Sequence, residues 1–213
     1  MRKTTMRVTW IGGWGVSPED LRPLAEGFLP GADHAFLPPV RGAAEAAAGC
    51  DYVAGWSLGA WHVMEAAARG VRFHNRVLLL APFVAFCSEH GLGGRCSQTQ
   101  VRWLRRWLQG EPVAALRDFY SRAGLGEAPA QLPYATGDLL AGLDLLAQDA
   151  SPALRKFAAG GLPEKWQAVI GGSDPLLDAD AVVRALPGCQ ITPGAGHRAE
   201  ELLGAIRKEP HAV

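Results

Sequence analysis

Short hydrophobic runs alternate with segments of helical periodicity along most of this 213-residue chain. The runs are rich in β-branched and aromatic residues and predict strands at about 7–11, 33–37, 51–56, 76–81, 166–170 and 189–191. The run at 76–81 is apolar almost throughout, which is typical of a central strand covered on both faces. Because helical segments separate the strands, we expect an α/β fold with a mostly parallel sheet of about six strands and helices on both faces.

Helix start signals occupy several of the intervening segments. Ser17 is expected to cap a helix that has Pro18 at its first position. An alanine-rich piece predicts a short helix over 42–48. Two further helices are predicted over about 178–186 and 198–208.

The segment from about 83 to 150 differs from the rest, because the strand pattern stops and helical periodicity takes over. Apolar residues share or flank one helical face there: Val101, Trp103, Leu104, Trp107 and Leu108. Asp138 is expected to cap a helix over 138–148, and Ser151 to cap the next helix. We interpret this segment as a helical lid inserted over the end of the sheet, within a single domain spanning residues 1–213.

Composition favours a globular protein that acts on small molecules. Hydrophobic residues make up 48% of the chain and charged residues 20%. The 21 basic and 21 acidic residues balance, so no global field would attract nucleic acid. No apolar stretch approaches the roughly 18 residues of a membrane span, and no secretory cleavage signal follows the first residues. We therefore expect a cytoplasmic monomer without nucleic-acid or membrane partners.

The four cysteines carry no close Cys-x-x-Cys spacing, so neither a zinc site nor a redox pair is indicated. Reduced thiols fit an intracellular chain. The sequence also lacks His-Glu-x-x-His and any cluster of close metal ligands. No metal and no cofactor are expected.

The stretch Val53–Ala60 combines a strand, a sharp turn and a helix start. It contains Gly55-Trp56-Ser57-Leu58-Gly59, in which the glycines leave room for a strained turn with serine at its apex. Such a turn would lift the Ser57 hydroxyl clear of the sheet, at the positive end of the following helix. This is the pattern of a nucleophile elbow.

Asp174 and His197 occupy places equivalent to that of Ser57. Each follows a predicted parallel strand and lies in a glycine-containing turn. Ligands bind open parallel sheets at the carboxyl ends of the strands, so the three residues can converge. Imidazole can take the serine proton, and a carboxylate holds the ring in the right tautomer. We predict a catalytic triad in the chain order serine, aspartate, histidine.

Each triad residue has a structural alternative. Ser57 could be a turn residue, Asp174 the former of an Asx turn, and His197 a solvated side chain. The rival acids are Asp178 and Asp180, which are close to Asp174 in the chain, and the more distant Asp149. The other histidines fit less well, because they precede the acid or, in one case, follow the last helix: His34, His62, His74, His90 and His211.

An acyl-transfer site also needs backbone donors for the oxyanion. The Leu58 N–H, directly after the serine, is one candidate. The second is the Trp14 N–H, in the glycine-rich loop Gly12-Gly13-Trp14-Gly15 after the first strand. An ordinary glycine turn is the alternative, whereas dinucleotide binding is disfavoured because the loop lacks the Gly-x-Gly-x-x-Gly spacing.

These motifs together resemble the α/β-hydrolase superfamily over essentially the whole chain. The closer likeness is to the carboxylesterases of biotin synthesis that hydrolyse pimeloyl-[acyl-carrier protein] methyl ester. It rests on the loop at 12–15, the elbow, Leu80-Ala81-Pro82 before the lid, Gly171-Gly172-Ser173-Asp174-Pro175, and Ala195-Gly196-His197. Gly12 replaces the histidine that many members carry. The chain also starts at what resembles the third strand, so the amino-terminal hairpin of the fold is expected to be missing.

The resemblance implies a medium-length acyl methyl ester carried on acyl-carrier protein. Trp14, Trp56, Phe83 and Phe86 would line the acyl channel, with core packing as the alternative. Carrier proteins of this kind are acidic, so a basic lid face would suit docking. Four arginines could form it, unless they are simply a solvated face: Arg95, Arg102, Arg105 and Arg106.

The sequence therefore predicts a serine carboxylesterase that works through an acyl-enzyme. One alternative is a hydrolase of the same fold acting on another ester or thioester, such as a small-ester esterase, a thioesterase or a lactonase. The other is a non-catalytic binding protein that keeps the fold.

Overall fold

The computed structural model of the protein describes residues 5–206. Its main sheet contains β1 (Arg7–Ile11), β2 (Asp33–Leu37), β3 (Tyr52–Trp56), β4 (Arg76–Leu80), β7 (Trp166–Gly171) and β8 (Cys189–Thr192). A separate pair consists of β5 (Ala85–Cys87) and β6 (Gly93–Cys96). The helices are α1 (Arg22–Phe28), α2 (Ala43–Ala47), α3 (Leu58–Ala68), α4 (Gln98–Gly110), α5 (Pro112–Ala123), α6 (Thr136–Leu146), α7 (Pro152–Ala159), α8 (Ala179–Ala185) and α9 (Ala199–Ile206).

The six strands of the main sheet run in the order β2-β1-β3-β4-β7-β8, and every pairing is parallel. The strand order reverses between β1 and β3, because the chain moves outward from β1 to β2 and then returns to the other side. Loops that leave β1 and β3 therefore diverge at a topological switch point, where open parallel sheets bind their ligands. The predicted parallel sheet of about six strands is confirmed.

Helices cover both faces of this sheet. In one group α3 packs against α2 and α7, and α7 packs against α8. In the other group α1 packs against α9. The central strands are buried as their apolar sequences require, and Val77–Leu80 of β4 is almost inaccessible to solvent. None of the helices described between residues 5 and 206 is long and apolar enough to cross a membrane.

The segment after β4 was predicted to be helical, and its first part is not. Residues 83–97 contain the short parallel pair of β5 and β6 before α4 begins. Gly94 lies so close to β5 that an added Cβ would be 1.7 Å from the carbonyl oxygen of Phe86. Glycine is not typical of strands, so the sequence shows no strand pattern here. Gly94 belongs to β6 because its missing side chain lets the backbones of β5 and β6 approach closely.

Three predicted helix starts have different outcomes. Ser17 precedes a 3₁₀ helix over Pro18–Leu21 and makes no side-chain capping bond, and α1 begins only at Arg22. The predicted cap at Asp138 is wrong, because α6 begins at Thr136 and Asp138 lies in its first turn. The Ser151 cap is confirmed, since its Oγ accepts the Leu154 N–H at 3.0 Å. The predicted end of the last helix, at 207–208, lies outside the described residues.

Candidate active site

Ser57 occupies a strained turn between β3 and α3. Its φ of 54° and ψ of −116° are unusual for a residue with a side chain. The flanking glycines explain how this turn fits: an added Cβ on Gly55 would lie 2.8 Å from the backbone of Ala60. One on Gly59 would lie 2.2 Å from the carbonyl oxygen of Ile11. The elbow is therefore packed directly against the end of β1.

The structure brings Ser57, His197 and Asp174 together in one hydrogen-bonded chain. Ser57 Oγ lies 2.9 Å from His197 Nε2, and His197 Nδ1 lies 2.7 Å from Asp174 Oδ2. Their exposed fractions are 7%, 2% and 0%. In the tautomer that carries its proton on Nδ1, this N–H donates a hydrogen bond to Asp174 Oδ2, and Nε2 is left to accept the hydrogen bond of the Ser57 hydroxyl.

Asp174 also forms the turn that was its alternative role. Its Oδ1 accepts the N–H groups of Leu176 and Leu177 at 2.8 and 3.1 Å, while Oδ2 faces His197. The two oxygens of one carboxylate thus fix the loop and orient the imidazole. The competing acids have other partners: Asp178 caps α8 by accepting the Ala181 N–H, and Asp149 pairs with Arg155.

The short strand β6 braces the loop that carries Asp174. The N–H of Arg95 donates to the carbonyl of Leu176 at 2.9 Å, and the N–H of Asp178 donates to the carbonyl of Gly93 at 2.7 Å. The unpredicted strand pair therefore supports the loop that carries Asp174.

The loop that carries His197 is held from three sides. The Ser173 N–H donates to the carbonyl of Ala195 at 2.9 Å, which ties this loop to the acid loop. Glu201 accepts the Gly196 N–H at 2.5 Å. The indole Nε1–H of Trp56 donates to the carbonyl of His197 at 2.9 Å, within the buried interior. Trp56, which directly precedes Ser57, is thus hydrogen-bonded to the backbone of His197.

The remaining histidines in the described part of the chain are engaged elsewhere. His34 Nδ1 accepts the indole N–H of Trp10 at 3.1 Å, and His90 lies 3.4 Å from Asp149. His62 is buried on α3 and donates to the carbonyl of Pro39 at 3.1 Å; burial lowers the pKa of its imidazole to about 4. His74 is exposed, and His211 lies outside the described residues.

The loop with the predicted oxyanion donor lies beside the nucleophile. An added Cβ on Gly13 would lie 3.5 Å from Ser57 Cβ and 3.2 Å from the ring of Trp56. Leu58 is the first residue of α3, so its N–H has no acceptor within that helix. The glycine-rich loop and the start of α3 thus both lie next to Ser57.

The predicted acyl-channel residues are all largely buried. The Trp14 ring packs on Phe119 at 4.7 Å, and Phe83 packs on Phe86 at 5.4 Å. Trp56 alone among the four lines a cavity of about 220 Å³. Leu21, Leu24, Tyr120 and Leu125 line it together with four charged residues: Asp20, Glu127, Arg198 and Glu200.

The predicted docking arginines differ in their surroundings. Arg102 and Arg106 are exposed on α4, whereas Arg105 forms a bidentate pair with Asp144 at 2.5 and 3.1 Å. Arg95 is exposed on β6. Trp103, beside them, is 50% exposed.

Sequence reasoning missed two tyrosines that contact the loop at residues 12–15, which we call the oxyanion loop after its predicted role. Tyr134 Oη accepts the Gly15 N–H at 2.7 Å, and the Tyr120 hydroxyl donates to the carbonyl of Gly15 at 3.1 Å. Both contacts span more than a hundred positions, so no local pattern could reveal them. Within residues 5–206, no group of three or more His, Cys, Asp or Glu side chains is placed to hold a metal ion.

No protein-family model and no curated protein sequence matches the chain. Solved structures do match its fold. A thermophilic esterase from Thermogutta terrifontis superposes with a TM-score of 0.63 at 16% identity, covering 96% of this chain and 89% of the esterase. A hydrolase from Pseudomonas aeruginosa gives 0.66 at 14%, covering 95% and 85%. A carboxylesterase from Nitrososphaera gargenis gives 0.61 at 14%, covering 91% and 83%.

These similarities establish the architecture. The chain has the α/β-hydrolase fold, with six parallel strands in its main sheet and β1 as the first strand of the described part. Because one fold hosts many reactions, the chemistry must be argued from the site itself.

Proposed function

We propose that the protein is a serine carboxylesterase. The observation that carries this proposal is the buried chain from Ser57 Oγ through His197 to Asp174, with the serine on a strained turn at the start of α3. Nucleophile, base and orienting acid lie within hydrogen-bonding distance of one another in the order that acyl transfer requires.

The reaction would proceed in two balanced steps. His197 Nε2 takes the Ser57 proton as Oγ attacks the ester carbonyl, and the N–H groups of Leu58 and Trp14 stabilise the oxyanion. His197 then returns this proton to the departing alcohol, which leaves an acyl-serine. In the second step His197 Nε2 takes a proton from a water molecule that attacks the acyl-serine, and it returns this proton to Ser57 Oγ as the acid is released. Asp174 stabilises the imidazolium in both steps.

The structural neighbours support a hydrolase of carboxylic esters. Those with the same fold and nearly full coverage include an esterase, a hydrolase and a carboxylesterase. At 14–16% identity these neighbours do not indicate which ester this protein hydrolyses. They support the class of reaction by analogy, and the geometry of the site supports the roles of Ser57, His197 and Asp174.

Labelling with a fluorophosphonate tests the reaction class directly. The wild-type protein should be labelled and should hydrolyse short p-nitrophenyl esters, and Ser57→Ala should abolish both. Ser121→Ala, at an exposed position of α5, is the matched control and should behave like the wild type. Equal labelling of the wild type and of Ser57→Ala would contradict the proposal, and so would a folded wild type that is never labelled.

For the substrate, we propose the methyl ester of a pimeloyl group carried on acyl-carrier protein, in cytoplasmic biotin synthesis. The resemblance of the motifs supports it, as do the exposed Arg102 and Arg106 beside the exposed Trp103 on α4. Arg105 should contribute less, because Asp144 already neutralises it. An acidic carrier would bind this face through attraction that salt weakens.

Two substrates separate the carrier-dependent reaction from small-ester hydrolysis. The carrier-bound methyl ester should be hydrolysed faster than free dimethyl pimelate, and the advantage should shrink in Arg102→Glu/Arg106→Glu. Arg72→Glu/Lys165→Glu, at exposed positions in the loops before β4 and β7, changes the net charge by the same amount and is the matched control. Equal turnover of both substrates would favour a small-ester esterase. Failure of a well-expressed protein to rescue a biotin auxotroph that lacks its esterase would remove the biotin assignment.

A further inference from the structure

We infer that Tyr134 and Tyr120 are positioning residues that hold the oxyanion loop from the helical segment above it. This inference rests on the proposed function, since it assigns the Trp14 N–H as an oxyanion donor. We define the cap as residues 98–146, which include α4, α5 and α6.

Three hydrogen bonds join the cap to two consecutive residues of the oxyanion loop. Both backbone polar groups of Gly15 are used: its N–H donates to Tyr134 Oη at 2.7 Å, and its carbonyl accepts from the Tyr120 hydroxyl at 3.1 Å. The indole Nε1–H of Trp14 donates to the carbonyl of Leu139 at 2.8 Å. All three partners belong to the cap.

The packing around these bonds leaves little room for the loop to shift. Gly15 has a φ of 73°, and an added Cβ would lie 2.6 Å from Leu116 Cδ1. The Trp14 ring meets Phe119 edge-on. An added Cβ on Gly142 would lie 2.5 Å from Trp14 Cδ1. Small residues on both sides thus allow the cap and the loop to approach closely.

Two of these hydrogen bonds hold Trp14 and the peptide group after it, and the Trp14 N–H is the proposed oxyanion donor. Trp14 is held at its side chain by Leu139, and the peptide that follows it is held at Gly15 N–H by Tyr134. Holding both restricts the movement of the Trp14 backbone and therefore of its N–H, and a preorganised oxyanion hole requires a donor that moves little. Since every one of these contacts comes from the cap, the hole is complete only while the cap is seated on the loop.

The two phenols suit this role because they stay protonated. Burial raises the pKa of both hydroxyls above the ordinary tyrosine value. Tyr120 therefore keeps the proton that it donates to the Gly15 carbonyl, and Tyr134 remains a neutral acceptor for the Gly15 N–H. A phenylalanine at either place would preserve the ring and remove only the hydroxyl.

Tyrosine-to-phenylalanine variants test the inference through kinetics. Removing a whole oxyanion donor costs about 10² to 10³ in kcat, so loosening one should cost less. We expect Tyr134→Phe and Tyr120→Phe each to lower kcat about tenfold with an unchanged KM, and the double variant to approach the loss of a full donor. Tyr52→Phe, at a buried position at the start of β3, is the control and should keep the wild-type kcat.

A second measurement separates positioning from general destabilisation. Affinity for a trifluoromethyl ketone, which forms an oxyanion on Ser57, should fall by the same factor as kcat/KM, while the pH midpoint of kcat/KM stays in place. A wild-type kcat in the double variant would overturn the inference, and so would a rise in KM alone or a loss explained by unfolded protein. A wild type without fluorophosphonate labelling would instead refute the proposed function.

Discussion

Two side chains of the site, those of Asp174 and Trp56, each make two separate contacts. Asp174 uses one oxygen to close its own turn and the other to orient His197. Trp56 precedes the nucleophile, donates to the backbone of His197 and packs under Gly13. A substitution at either position should therefore separate structural from chemical effects only if it removes one contact at a time.

Asp174→Asn should inactivate the protein without unfolding it. The amide oxygen can still accept the N–H groups of Leu176 and Leu177, but an amide facing His197 Nδ1 favours the wrong tautomer, which costs about 10⁴ in kcat in the serine protease precedent. Asp174→Ala should also lower the free energy of unfolding, by about 1–3 kcal/mol for each buried donor left unpaired. Ester turnover and urea unfolding check both. An active Asp174→Asn would disprove the assigned role.

Trp56→Phe should lower kcat for every ester alike. The variant keeps an aromatic ring against Gly13 but cannot donate to the carbonyl of His197, so the base loses one of its anchors. Turnover of p-nitrophenyl esters of increasing acyl length measures the effect, and we expect roughly a tenfold loss, comparable to the one or so kcal/mol of a single net hydrogen bond. A KM that rises only for long esters would instead make Trp56 a substrate-binding residue.

At the scale of elements, β6 explains what the 83–97 segment contributes. Its backbone pairs with residues 176–178, shortly after Asp174, so this strand supports the loop that carries Asp174. The helices that follow β6 have an apolar periodicity in their sequences, so they could be predicted. The strand pair was not, because its glycines and its partner near position 177 give no periodic signal.

Gly94→Ala tests this support. Its Cβ would lie 1.7 Å from the carbonyl oxygen of Phe86, so β5 and β6 must separate, and overpacking of this kind costs about 3 kcal/mol or more. We expect lower stability in urea together with lower kcat, as the Asp174 loop loses its brace. The matched control is Gly137→Ala, a helical site of α6 with open space around it, which should gain about 0.5–1 kcal/mol. Equal stability of the two variants would refute the account.

Across the fold, the convergence of Ser57, Asp174 and His197 follows from the topology of the sheet. Residues after the carboxyl ends of neighbouring parallel strands must meet at one edge, so Ser57, Asp174 and His197 could be placed from sequence. Contacts between the cap and the Gly15 loop could not, because they depend on how helices seat on the sheet. For the same reason the sequence did not show the hydrogen bond from Trp56 to His197, and it left acyl-channel lining and core packing both open for Phe83 and Phe86.

The acid stability of the whole fold should depend on His62. Burial lowers its pKa to about 4 in the folded state, against an ordinary 6.5. Above pH 6.5 the ring is neutral in both states and has no effect; below it only the unfolded chain takes up the proton. Stability is therefore lost from pH 6.5 down to about 4, by about 3 kcal/mol in all. His62→Gln does not titrate and can still donate to Pro39, so urea unfolding should show a loss smaller by that amount. Parallel losses in both proteins would mean that His62 is protonated in the fold.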